Sequence, residues 1–223
     1  MLDALAPGAA LCVAFIRLSA IFGSSCRGRM IIEKPILQHL PLASPVYTNG
    51  VEEYRFATFF VEFVVMLAIF VLLLLFYYRR RSLSMYPGIS GDGHTARMFL
   101  LLYSAAEFIL DSTRYDPSSL RFLDFASFVQ IFSAATILAV FVYYTRRSIG
   151  IYGRTGKHIA LAVGWGAALI CAGAAEYLVR RHANMYLGCY LLMLLGVLGL
   201  TSVTYLMYLS CCKQSHWKEL DEE

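Results

Sequence analysis

A chain of 223 residues that is 59% hydrophobic and 15% charged, with a mean hydropathy of +0.61, is too apolar for a soluble domain of its length. Its formal net charge of +4 is spread over loop ends, which reads as anchoring to anionic headgroups and excludes a nucleic-acid footprint. The apolar residues come in blocks, and a spanning helix needs about 20 mostly apolar residues. In chain order the blocks are residues 5–22, 56–78, 97–113, 122–145, 158–179 and 186–210. The expected fold class is all-α, a polytopic membrane protein of about six transmembrane helices.

The first block opens on the acidic MLDALAPG and is interrupted by Arg17. A signal peptide has a basic start and an unbroken apolar centre, so the block is expected to stay in the fold. Arg17 needs a partner at that depth. Asp3, which precedes this helix by a turn, lies about 21 Å away along its axis and cannot supply one. The partner is another acid or an anionic ligand. Residues 23–55 come next, with Pro35, Pro41, Pro45 and an Asn49–Gly50 turn signal, and are expected to form an irregular cap on the outer face.

The second block carries Arg55 just before it and Glu62 inside it, and ends at Arg79, Arg80 and Arg81. The Gly/Ser-rich residues up to 96 read as a flexible cytoplasmic connection. Their GDGHT has no strand before it and no lysine, which excludes a phosphate-binding loop. The third block is the shortest and most polar, and its second half reads YSAAEFILDSTRYD. Helical spacing puts Tyr103, Glu107, Asp111 and Arg114 on one face. A charge inside the bilayer costs at least roughly 2.5–3.5 kcal/mol, so this stripe must face protein or a wet cavity. The helix therefore needs cover from its neighbours.

Arg146, Arg147, Arg154 and Lys157 lie between the fourth and fifth blocks. Placing them and the Arg79–Arg81 cluster inside puts both termini in the cytoplasm. Glu176, near the outer end of the fifth block, reads as a solvated helix end. The six cysteines show no CxxC and no Cys/His ligand spacing, so no metal site is expected. Cys12, Cys171 and Cys189 read as small hydrophobes in helices, and Cys211–Cys212 as filler at the end of the last one, with acylation as the alternative.

The buried charges have two readings. Arg17, Glu62 and Asp111 are either interhelical pairs that hold the bundle together, or the centre of a functional site. Arg17, Arg55 and Arg114 fall at the outer side of three helices. Guanidinium groups bind phosphate through paired hydrogen bonds, and a lipid headgroup brings phosphate to this depth.

These residues resemble the prolipoprotein diacylglyceryl transferase family. The stretch LDALAPGAALCVAFIRLSAIFGSSCRGR is similar to the family pattern D-x-x-A-P, R-x-G-N-F and a Gly-Arg close, with Asp3, Ala6, Pro7, Arg17, Gly28 and Arg29 in register. RFATFFVE is similar to R-x-P-S-Q-L-Y-E and keeps Arg55 and Glu62. The third block is similar to F-L-x-x-Y-G-x-x-R-F-x-x-E-x-x-R-x-x-D, with Tyr103 and Arg114 kept, and FVQIFS keeps Gln130 and Ser133 of G-Q-x-x-S. The chain departs from the pattern at Glu107, where the family has arginine, at Asp111 for glutamate, at Ala20 for asparagine and at Ser25 for an acid. The family's further amino-terminal helices, with a His-Gly-Gly element, have no counterpart in this stretch. The resemblance divides the chain into a transferase-like core, residues 1–145, and an added transmembrane hairpin with a short cytoplasmic tail, residues 146–223.

The resemblance implies transfer of a diacylglyceryl group from phosphatidylglycerol to the lipobox cysteine thiol of a prolipoprotein, in a bacterial inner membrane. The implied catalytic residues are Arg17 and Asp111. The implied substrate-binding residues are Asp3, Gly28, Arg55, Glu62, Tyr103, Glu107, Arg114 and Gln130. The reaction needs no metal and no cofactor, and the implied partners are the lipid and the signal peptide bearing the lipobox cysteine. The competing expectation is a non-catalytic lipid-binding or assembly membrane protein that keeps the fold. A transporter is disfavoured by the absence of paired broken helices and of an internal repeat.

Overall fold

The computed structural model describes residues 2–23, 26–29, 31–33, 35–48, 50–83, 93–115, 121–122, 126–153, 155–181 and 186–213. Six long helices carry the fold: α1 (Leu2–Ser19), α3 (Thr58–Leu83), α4 (His94–Thr113), α5 (Phe128–Tyr152), α6 (Gly156–Arg181) and α7 (Tyr186–Lys213). A short helix, α2 (Pro35–Gln38), lies between the first two. Among the described residues α1, α3, α5, α6 and α7 are long and apolar enough to cross a membrane. The protein is an all-α polytopic membrane protein.

Helix α4 misses that standard by composition and meets the need for cover by position. It packs against α1, α3, α5 and α7. Leu101, Ala105 and Phe108 are buried on it, and so are Ser104, Glu107 and Asp111. A helix buried on several sides keeps its charges off the lipid, so charged residues are tolerated there without a long apolar run.

Local sequence explains how the surrounding helices approach. Along α1, Ala6, Ala10 and Ala14 form one buried stripe, and their small side chains let α3 and α4 come close. Arg17 continues that stripe one turn later and so points into the bundle. At its other end α1 is tied to α4 by Asp3, whose carboxylate accepts from Gly93 N at 2.9 Å and Ala96 N at 3.0 Å. An acid at this place satisfies N–H groups that the helix itself cannot pair and complements the helix dipole. Met66 and Leu73 of α3, Ile137 and Tyr144 of α5, and Met193, Leu200 and Met207 of α7 complete the apolar core. Of the pair α6–α7, α7 packs on α4 and α5, and α6 meets α5 through the Phe141–Trp165 stack and the Ser148–His158 hydrogen bond.

Several local expectations change. The stretch expected as irregular contains a β-hairpin, β1 (Ala43–Thr48) with β2 (Val51–Phe56), in which Thr48 faces Val51 across a two-residue turn. Gly50 takes φ +81° there, the conformation that an Asn-Gly turn requires. The fourth spanning helix begins at Phe128, later than the apolar pattern suggests. Residues 121–122 (β3) and 126–127 (β4) pair instead, and Ser127 caps the helix in a reciprocal box with Gln130. That helix also runs past Arg146 and Arg147 to stop at Gly153, at φ +72°. Glu176 is 1% exposed and not a solvated end, because α6 continues to Arg181, more than a turn beyond it. Asn49, Ser90, Arg154, Ser25, Asp116 and residues 214–223 lie outside the described residues.

Candidate functional site

Three helices deliver charge to one point at the end of the bundle near Thr113. Arg17 Nη2 donates to Glu107 Oε1 at 2.5 Å, and Arg17 Nε stands 3.4 Å from Glu62 Oε2. Arg114 Nε donates to Glu62 Oε1 at 2.6 Å, its Nη2 to Glu107 Oε2 at 3.3 Å, and its Nη1 stands 3.6 Å from Asp111 Oδ1. Glu62 is 0% and Glu107 1% exposed, so these contacts are desolvated. The Tyr103 hydroxyl lies beside Arg17 and Glu107 on the same side of α4. Asp111 Oδ2 accepts a short hydrogen bond from Ser127 Oγ.

The Glu107 carboxylate is the hub of this arrangement. One oxygen takes Arg17 and the other takes Arg114, so a single anion bridges guanidinium groups from two separate elements. Two arginines meet three carboxylates, Glu62, Glu107 and Asp111, so with every group ionised the cluster carries one net negative charge. Such a network is stable only when its lone pairs and protons are satisfied, as they nearly are here.

The backbone around Arg114 is fastened by the Gly28–Arg29 segment. Gly28 bridges Arg114 in antiparallel fashion, Arg29 N donates to Thr113 O at 3.0 Å, and Tyr115 N donates to Arg27 O at 2.7 Å. Arg29 Nε also holds the Arg114 carbonyl at 3.0 Å. A Cβ at position 28 would stand 2.8 Å from Phe56 Cβ and 2.9 Å from Phe56 O, so only glycine fits. The Gly-Arg close thereby sets where the Arg114 guanidinium can reach.

The remaining expected site residues lie elsewhere. Arg55 pairs with Glu53 at 2.9 Å and stacks over Tyr115, 4.1 Å from its ring centre, outside the five-residue cluster. Asp3 is at the opposite end of α1, on the first turn of α4. Gln130 serves the cap of α5 and the Phe108 carbonyl, at 3.4 Å, and reaches the cluster only through Ser127. Ala20 lies in the single 3-10 turn after α1.

Sequence reasoning passed over two residues. Ser127, the partner of Asp111, carries a local signal in its Ser-x-x-Gln spacing to Gln130. Arg27 is 6% exposed, donates to Gly23 O at 2.8 Å and lies 4.6 Å over Phe59. Burial pushes its guanidinium below the ordinary arginine value.

The sequence profile described as prolipoprotein diacylglyceryl transferase matches residues 1–146. The chain belongs to the prolipoprotein diacylglyceryl transferase family. No curated protein matches it, and neither does any solved structure. The matched span contains α1, α3, α4 and most of α5, and hence every member of the charged cluster, whereas α6 and α7 lie beyond it. The family description implies a lipid donor and a prolipoprotein acceptor in a membrane, and the charged cluster lies within the matched span.

Proposed function

We propose that this chain transfers a diacylglyceryl group from phosphatidylglycerol to the lipobox cysteine thiol of a prolipoprotein in the bacterial inner membrane. The observation that carries the reading is the pair of guanidinium groups, Arg17 and Arg114, converging on one anion at the end of the bundle. Two guanidiniums aimed at one point suit a phosphodiester, and they stabilise the charge that develops on the departing phosphate. In the reaction the thiol sulfur forms a bond to the glyceryl carbon, the bond from that carbon to the phosphate oxygen breaks, and glycerol phosphate leaves. A free cysteine has a pKa of about 8.5, so a base must take its proton. Asp111 serves as that carboxylate, Arg17 engages the phosphate, and Arg114 closes the outer mouth. Glu62 and Tyr103 position the arginines, and Gly28 positions Arg114. Arg55 meets substrate farther out on the same face, and Asp3 and Gln130 act through the helices they tie together. The bilayer presents lipid and signal peptide at one depth, which orients them.

A second reading is a lipid-binding or assembly protein that keeps the fold without turnover. Glu107 favours it, because its carboxylate already holds both arginines where the family has a further arginine. Retention of phosphatidylglycerol by native mass spectrometry tests the binding step common to both readings. Arg17→Ala removes a charge-assisted contact worth roughly 1.5–3 kcal/mol, so retention should fall by about one to two orders of magnitude. Equal retention by folded parent and variant would refute lipid binding at this site.

The orientation comes from the basic clusters, with the charged cluster on the outer side and both termini in the cytoplasm. Residues 146–223 are then an addition to the transferase core, the larger part of it the α6–α7 hairpin. Cysteines placed at Tyr47, exposed on β1, and at Lys157, at the start of α6, report the two sides. An impermeant maleimide should label Tyr47→Cys on intact cells and Lys157→Cys only after permeabilisation. The reverse pattern would invert the orientation.

A further inference from the structure

We infer that a phosphodiester headgroup enters this site together with a proton, which Glu107 receives as it gives up the two arginines. The inference rests on the transferase reading, in that the headgroup is taken to bind between Arg17 and Arg114. Those guanidiniums are held by the two oxygens of Glu107, so the seat that a phosphodiester needs is already filled by a carboxylate of the chain itself. A headgroup that takes the N–H groups now donated to Glu107 displaces it.

Charge balance decides the fate of the displaced carboxylate. The groups facing Glu107 are Arg17 from α1, Glu62 from α3, and Tyr103, Asp111 and Arg114 from α4 and its end. From the other two helices packed on α4 come contacts to its backbone at this end, Gln130 to the Phe108 carbonyl and Tyr190 to the Ser112 carbonyl. None of these adds a cation that Glu107 can use instead. The resting cluster, with three carboxylates and two guanidiniums, has one net negative charge, and a phosphodiester brings another. The displaced Glu107 carboxylate would be an ionised group at 1% exposure without its counter-ions, beside Glu62 and an incoming phosphate. A buried, unpaired charge among like charges takes up a proton in preference to staying ionised. Glu107 thus acts as a positioning residue that couples headgroup binding to proton uptake. The family's arginine at this position would provide no such coupling.

The test is calorimetric titration of the full chain in detergent with dihexanoyl phosphatidylglycerol and, separately, with glycerol phosphate. Each titration is repeated in buffers of different ionisation enthalpy, which counts protons directly. The expected result for the lipid is about one proton taken up per headgroup, with Kd rising about tenfold per pH unit over the range where uptake occurs. Glu107→Gln should still bind the lipid, with no proton uptake and a Kd flat within about twofold per pH unit, the limit of a zero-proton linkage. Lipid binding by the parent with no proton uptake overturns the inference and leaves the transferase reading intact. Absence of lipid binding in the folded parent at every pH overturns both. Binding of glycerol phosphate alone assigns the seat to the leaving group and overturns the coupling to lipid. If Glu107→Gln does not fold, the proton count and the pH slope of the parent decide the matter by themselves.

Discussion

Arg114→Met is expected to lower stability by about 3–5 kcal/mol, the cost of breaking a buried ionic pair from one side. Arg114 is the only group among the described residues that touches Glu62, Glu107 and Asp111 together. Methionine fills much of the space but leaves three carboxylates in a region where two of them are 0% and 1% exposed. Arg17 reaches two of the acids, so the loss is not total collapse. Adding Glu62→Gln should recover at least about 1 kcal/mol, since neighbours in one network are coupled by about 0.5–3 kcal/mol. Reversible unfolding in detergent measures both. A loss below about 1 kcal/mol, the value of an exposed pair, would mean that the cluster is hydrated and open.

The second large effect is expected at Glu107→Arg. The change replaces the bridging carboxylate by a third guanidinium, so two acids then face three arginines and the anion seat is vacated. Transfer to a lipobox peptide should rise by about a hundredfold, in line with the effect of one preorganised donor on a developing oxyanion. The melting temperature should fall at the same time, because Arg17 loses its shortest contact, 2.5 Å to Glu107. A rate assay with the melting curve alongside separates the two consequences. A folded, stable Glu107→Arg protein with no transfer would argue for the lipid-binding protein without turnover.

The helices of this protein are legible in the sequence because the bilayer leaves few alternatives to apolar blocks of spanning length. Even α4, too polar to qualify by hydropathy, is legible, since its charges share one face and that face demands protein cover. The meeting of Arg17 with Glu62 and Glu107 is half legible. The alanine stripe aims Arg17 inward, but which acids it meets depends on how α3 and α4 rotate against α1. Asp3 shows the opposite case, because it caps another helix across the bundle and nothing in its local sequence names that partner. Arg55 aligns with the family motif yet turns to Glu53 and Tyr115, since strand β2 carries its side chain away from the cluster. Glu176 reads as solvated only if α6 ends with its apolar run, and the helix continues past that point to Arg181. Ser127 is readable in principle from its capping spacing, which also explains why α5 begins where it does.

The most direct test of the central claim is a transfer assay with the purified chain in phosphatidylglycerol vesicles and a lipobox peptide, read by mass spectrometry. The account predicts a diacylglyceryl thioether on the peptide cysteine and glycerol phosphate released in equal amount, both abolished by Arg17→Ala in a folded sample. Neither product from the folded parent at any pH, with phosphatidylglycerol still bound, would contradict it.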